Sequence, residues 1–206
     1  MPEYNIDVLF DSILAAVAAQ GSIAQRMHMV IDECERQLPH ADWERMRCID
    51  FHADEPALED WLIEAFSEGA VRAGDRGLWF GLFNPLSLDG RATSELYVAS
   101  GPIYEDESPE WPCKVQPNKG ASFLDSEVLD AIYRLAYDPE DGLQNNAEYP
   151  LALAYATMAA CSALGQRKLA PELAALRGAA AGFDSGDGLY IGVFDNLRFR
   201  QLLRPY

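Results

Sequence analysis

The stretches "GLWFGLF" (residues 77–83) and "GLYIGVF" (188–194) set Gly, Leu, an aromatic, an apolar residue, Gly, an aliphatic and Phe in the same order, 111 positions apart. A short run that is apolar throughout and rich in aromatic and branched side chains reads as a buried strand. Side chains alternate along a strand. Leu78, Phe80 and Leu82 therefore take one face, and Trp79, Gly81 and Phe83 the other. In the second copy Leu189, Ile191 and Val193 oppose Tyr190, Gly192 and Phe194. Both faces are apolar in both copies, so helices are expected on both sides of the sheet. Each central glycine sits between two rings and leaves a notch where something approaches the backbone closely. A helix packed over Gly81 and Gly192 is the favoured occupant. The alternative is an aromatic-walled pocket for a small apolar or planar ligand, lined by Trp79, Gly81, Phe83, Tyr190, Gly192 and Phe194.

Working outward, the link "NPLSLDGR" after the first copy holds Asp89-Gly90, a hairpin signal. It predicts a second strand near 94–100, antiparallel to the first. Upstream, Ile6, Leu9, Phe10, Ile13, Leu14 and Val17 follow helical spacing, and Ser22 with Gln25 forms a capping box for a second helix that stops at Pro39. Residues 45–52 (RMRCIDFH) fit neither period cleanly, and Asp54 and Pro56 open a third helix. Helices are expected to resume at Ser122, to include the nearly all-apolar, alanine-rich segment Tyr149–Leu164, and to end with one opened by Pro171 that carries Leu173, Leu176 and Ala180. A short basic helix or tail follows the second quoted strand. The fold class is thus α+β and predominantly helical, with about six helices on a small, at least partly antiparallel sheet whose strands lie near 77–84, 94–100 and 188–194. One domain spans 1–206. A Pro- and acid-rich loop, 101–121, separates two pseudo-repeat halves, about 1–100 and 122–206. Leu58 with Leu169 and Leu62 with Leu173 keep the offset of 111, which suggests a helix–loop–strand duplication.

Charge narrows the functional classes. The chain of 206 residues carries a formal net charge of −17. Residues 1–110 hold 22 acids against 7 bases, and residues 111–206 hold 11 against 9. Such a balance repels phosphate backbones, which argues against nucleic acid as a partner and favours encounter with a basic protein. The longest apolar stretch, Leu151–Leu164, is too short to cross a bilayer, and the N-terminal segment carries acids at helical spacing and no basic leader region. Four widely spaced cysteines without a CxxC pair then read as reduced thiols of a cytoplasmic protein.

Catalytic signatures are sparse. His28, His40 and His52 are the three histidines; no metal-ligand spacing and no nucleotide-binding glycine motif occurs, so neither metal nor cofactor is expected. The best reactive cluster is Cys48, His52 and Asp54: Cys48 and His52 share a face whether the segment is strand or helix, as a Cys–His nucleophile pair requires, and Asp50 or Asp54 is placed to orient the imidazole. No oxyanion hole is apparent nearby, so the three stay weak catalytic candidates beside the glycine-notch pocket. "FDSGDG" (183–188) lacks the alternating ligands of a calcium loop and reads as a turn. Arg198 and Arg200 are expected to pair with acids of the N-terminal half.

In the 101–121 loop, Tyr104 and Trp111 bracket Glu105, Asp106, Glu107 and Glu110. Rings supply binding energy at interfaces and acids steer a basic partner. The chain's general character, small, acidic and α+β without catalytic signatures, is similar to that of many bacterial immunity and antitoxin proteins. The likeness is compositional and implies a basic, nuclease-like toxin as partner. A non-enzymatic interaction protein is therefore the leading expectation, with an apolar homodimer interface on the strands as a further one.

Overall fold

The computed structural model describes residues 4–84, 93–104, 111, 115, 122–165 and 173–205. Among these residues the chain runs α1 (Ile6–Ala18), α2 (Ile23–Gln37), α3 (Asp42–Arg47), α4 (Glu55–Ser67), β1 (Gly77–Phe83), β2 (Glu95–Gly101), β3 (Ser122–Leu124), α5 (Glu127–Ala136), α6 (Asn145–Gly165), β4 (Gly178–Phe183), β5 (Gly188–Asp195) and β6 (Arg198–Pro205). The strands form one sheet in the order β3-β2-β1-β4-β5-β6. β1 and β4 pair in parallel at its centre, and every other pair is antiparallel. The sheet is therefore mixed, with two antiparallel strands added outward on each side of the central pair. The Asp89-Gly90 turn lies outside the described residues, but the strands it was expected to join do pair antiparallel, Gly77 facing Gly101 and Phe83 facing Glu95.

Local chemistry explains the helices that periodicity marks. Asn5 caps α1 by accepting from the Val8 N–H, and Ser22 and Gln25 complete the reciprocal capping box at α2. α6 is the hub. It is buried on nearly every side and packs against α1, α2, α4 and α5 and against β1, β4, β5 and β6. Its alanines let these neighbours approach closely.

Three segments differ from the sequence reading. Residues 178–183, GAAAGF, form the strand β4 and not the end of a helix. Alanine favours helices by only tenths of a kcal/mol per residue, roughly 0.3–0.7 over its competitors, and tertiary context overrides that. In the centre of this sheet small side chains are needed, because the rings of Trp79 and Tyr104 press on Gly182 and Gly178. The basic C-terminal segment is the strand β6, reached through a two-residue turn in which Asn196 and Leu197 both have positive φ (49° and 64°). That left-handed pair matches the twist of an antiparallel hairpin. Ser122–Leu124 is likewise a strand, and α5 starts only after Ser126 caps it. The ambiguous stretch 45–52 is the end of the short helix α3 followed, from Cys48, by turns.

Helices cover one face of the sheet, not both. Leu78, Phe80, Leu82, Val98, Ala179, Ala181, Leu189 and Ile191 join the aliphatic core beneath α1, α2, α4, α5 and α6. The opposite face carries a separate cluster of Trp79, Tyr97, Ala99, Ala180 and Tyr190, capped by Trp111 and Val115 from the long loop, with Phe83 and Tyr104 packed against it.

The glycine notches are filled by neither a helix nor empty space. A Cβ on Gly81 would stand 2.2 Å from the Tyr97 ring of the adjacent strand. One on Gly192 would stand 2.5 Å from both the Phe199 ring and the Arg200 carbonyl oxygen of β6. Cross-strand rings occupy both positions, an arrangement known to shield strand glycines. The two glycines also face opposite ways. Ile191 has no partner on either neighbouring strand, so a β-bulge interrupts the alternation of β5. Tyr190 stays on the aromatic face with Ala180, whereas Gly192 pairs with Ala179 and Phe194 packs into the aliphatic core. Trp79, Gly81, Phe83 and Tyr190 therefore lie on one side of the sheet, and Gly192 and Phe194 on the other.

The offset of 111 maps β1 onto β5, which hold different places in the sheet. In register, Gly77 and Gly81 of β1 stand beside Gly178 and Gly182 of β4. Leu62 lies in α4, but Leu173 belongs to no α-helix, and Leu169 lies outside the described residues.

Candidate functional site

α4 buries Leu58, Trp61, Leu62 and Ala65 and turns its other side to solvent. That outer side holds Glu55, Glu59, Asp60, Ile63 and Glu64, and Glu68 follows at the C-cap; all are exposed. No Lys or Arg occurs anywhere in the helix. Asp60 with Glu64 and Glu64 with Glu68 are like-charged neighbours one turn apart, each opposing the helix by about 0.2–0.5 kcal/mol. Glu64 and Glu68 also crowd the negative end of the helix dipole, where anions are unfavourable. Ile63 is 43% exposed in the middle of these acids. Among the described residues, Glu55 pairs with His52 at 3.0 Å, and no ion pair engages Asp60, Glu64 or Glu68.

The other acidic helices differ. Arg47 holds Asp32 and Glu35 at 2.7 Å each and Glu44 at 3.3 Å. Arg45 bridges Asp42 at 3.1 Å and Asp138 at 2.8 Å, and Arg36 holds Glu33. Arg36 holds the Glu33 carboxyl below its ordinary range. Asp138 is held low too, first by the Glu140 backbone N–H and then by Arg45. On α2 and α3 the acids are matched in place, as is Asp130 of α5 by Arg134; among the described residues Asp60, Glu64 and Glu68 of α4 are not, nor are Asp7 and Asp11 of α1 and Glu127 of α5.

The sequence candidates fall elsewhere. Cys48 is exposed, and its Sγ donates to the Glu44 carbonyl at 3.3 Å. The His52 imidazole turns to Glu55. Asp54 is buried, where its carboxylate accepts from Ser126 Oγ, from Tyr155 OH at 2.7 Å and from the Glu127 N–H at 2.9 Å. Asp54 thus ties the start of α4 to α5 and α6 and does not orient His52. The three side chains are bonded to three different groups.

Trp111 is fully buried, its ring against Gly77 and 6.0 Å from Tyr190; Tyr104 lies against Gly178 and 5.4 Å from Trp111. Both loop rings seal the sheet. Glu105, Asp106, Glu107 and Glu110 lie outside the described residues. Arg198 and Arg200 make no ion pair with an acid among the described residues, and Arg204 sits 4.5 Å over the Tyr190 ring. On the aromatic face Trp79 Nε1 donates to Tyr97 OH at 3.1 Å, and Tyr97 OH donates to Asp184 at 2.6 Å.

Among the described residues, no group of three or more His, Cys, Asp or Glu side chains is placed to hold a metal ion, and no helix is long and apolar enough to cross a membrane. The fold and surface define an α+β protein with a sheet covered by helices on one face and by its own loop rings on the other. No protein-family model, curated protein or solved structure matches the chain. The signal for the α4 face was present in the sequence as EDWLIEAFSE (59–68), where an apolar core stripe alternates with acids and no base intervenes.

Proposed function

We propose that the chain is a non-enzymatic binding protein that docks a basic protein partner through the outer face of α4. The observation that carries this reading is the pairing pattern: the acids of α2 and α3 and Asp130 of α5 have arginines, while Asp60, Glu64 and Glu68, clustered around Ile63 on one helix face, have none among the described residues. A helix that keeps like charges one turn apart, and acids at its negative end, gives up local stability, and departures of this kind concentrate at functional surfaces. Ile63 supplies an apolar centre, and the surrounding carboxylates supply steering and partners for Lys or Arg.

The test compares the immobilised chain with Asp60→Asn/Glu64→Gln/Glu68→Gln and with Asp32→Asn/Glu35→Gln/Glu44→Gln. The native chain and the α2–α3 variant should retain the same basic protein from its own cell extract at low salt and release it as salt rises. The α4 variant should not retain it. Equal retention by all three proteins contradicts the proposal.

A further inference from the structure

A cavity of about 510 Å³ opens where the start of α1, the start of α6 and the β4–β5 turn meet. Its size is within the range of sites for small organic groups, roughly 300–1,000 Å³. Three rings form its walls: Tyr4, Phe10 and Tyr149. They are fixed by their own contacts. Tyr4 OH donates to the Asn146 carbonyl at 2.7 Å, and the Tyr149 ring stacks on Phe183 at 5.4 Å with planes 8° apart. The polar lining consists of Asp187, Asn145 and Asn146, and among the described residues no Lys or Arg lines the cavity. Burial first, and then the neighbouring Asp187 carboxylate, push the Tyr149 phenol up to about 12. Tyr149 therefore stays neutral, with its hydroxyl beside the Asp187 carboxylate in the lining.

Ring faces attract cations, and a carboxylate beside them adds charge and acceptors. A guanidinium suits the combination better than a compact ammonium, because it is planar, stacks on rings and offers several donors in a fork. We propose that this cavity binds a guanidinium group, stacked on Tyr149 or Phe10 and hydrogen-bonded to Asp187. The site is separate from the α4 face and does not depend on it.

The test is calorimetric titration of the full chain with N-acetyl-L-arginine methylamide, its neutral citrulline counterpart and free L-arginine. Saturable binding of the capped arginine, about tenfold weaker for citrulline, is expected. Asp187→Asn should weaken the capped arginine by about fivefold to tenfold while the melting temperature stays near that of the native chain. Tyr149→Leu should weaken it also, with Tyr149→Phe in between. A tighter response to the capped form identifies the source as an arginine in a polypeptide, and a tighter response to free arginine identifies a free small molecule. Equal binding of arginine and citrulline analogues, no effect of Asp187→Asn, or no saturable binding of any of the three overturns the proposal.

Discussion

The two sides of the sheet are built by different means. The side under the helices is aliphatic and is sealed by whole elements, with α6 at its centre. The other side is aromatic and is sealed by rings set into glycine positions, Tyr97 on Gly81, Trp111 on Gly77 and Tyr104 on Gly178. Their polar networks differ as well. Asp54, on the helical side, is buried with three donors, while Asp184, on the aromatic side, is exposed and receives Tyr97 OH. The difference teaches that near-identical strands do not make equivalent surfaces. One bulged residue, Ile191, suffices to turn Gly192 and Phe194 to the helices while Gly81 and Phe83 look the other way.

The largest expected effect lies on the helical side. Asp54→Ala strands the Ser126 and Tyr155 hydroxyls and the Glu127 N–H in a dry interior, and should destabilise by about 3 kcal/mol or more in urea unfolding. Asp184→Ala removes one acceptor, at an exposed position, from a Tyr97 hydroxyl that still accepts from Trp79, and should cost about 1 kcal/mol. Equal losses would erase the contrast between the two networks.

The glycines sharpen it. Gly192→Ala and Gly81→Ala should each destabilise by about 2–3 kcal/mol through overpacking. The obstacles differ, however, since the Tyr97 ring can be replaced and the Arg200 carbonyl cannot. A double-mutant cycle of Gly81→Ala with Tyr97→Leu should give a favourable coupling of at least about 1 kcal/mol, and one of Gly192→Ala with Phe199→Leu should give clearly less. Reversed couplings would mean that the bulge is misplaced.

The smallest effect concerns pH at the rim of the aromatic face. Burial, and then Asp125, hold the Glu95 carboxyl above its ordinary range. The folded chain therefore keeps this proton to higher pH than the unfolded chain, and stability falls as pH rises from the ordinary carboxylate pKa through the raised one. Glu95→Gln should remove that part of the fall, leaving the variant more stable than the native chain at neutral pH and not at pH below about 4. An unchanged pH profile would show that Glu95 is as well solvated when folded as when unfolded.

Much of the helical layer was legible because burial on one face writes a 3.6-residue period. α1, α2 and α4 carry it, and the Ser22–Gln25 box marks its start at α2. The strands at 77–83, 95–101 and 188–195 were legible as apolar runs bounded by turn residues. β4 was not, because a strand of glycine and alanine resembles a helix segment until the neighbouring rings that demand small residues are known. β6 alternates Arg198, Arg200 and Arg204 with Phe199, Gln201 and Leu203, a two-residue period that its charge concealed. The bulge at Ile191 and the parallel pairing of β1 with β4 leave no local mark, since both are settled by strands far away in the chain. Net charge pointed to acids as a surface property but could not say which acids find arginines. Arg47 of α3 draws Asp32 and Glu35 of α2 through tertiary placement alone.

The helical side also carries the acids for which the account proposes a role, and one measurement tests that most directly: the dissociation constant of the retained basic partner for the native chain and for Asp60→Asn/Glu64→Gln/Glu68→Gln, taken at two salt concentrations. The α4 variant should bind about tenfold or more weakly at low salt, the difference narrowing as salt screens the native contacts. An affinity that ignores both the α4 substitutions and the salt would contradict it.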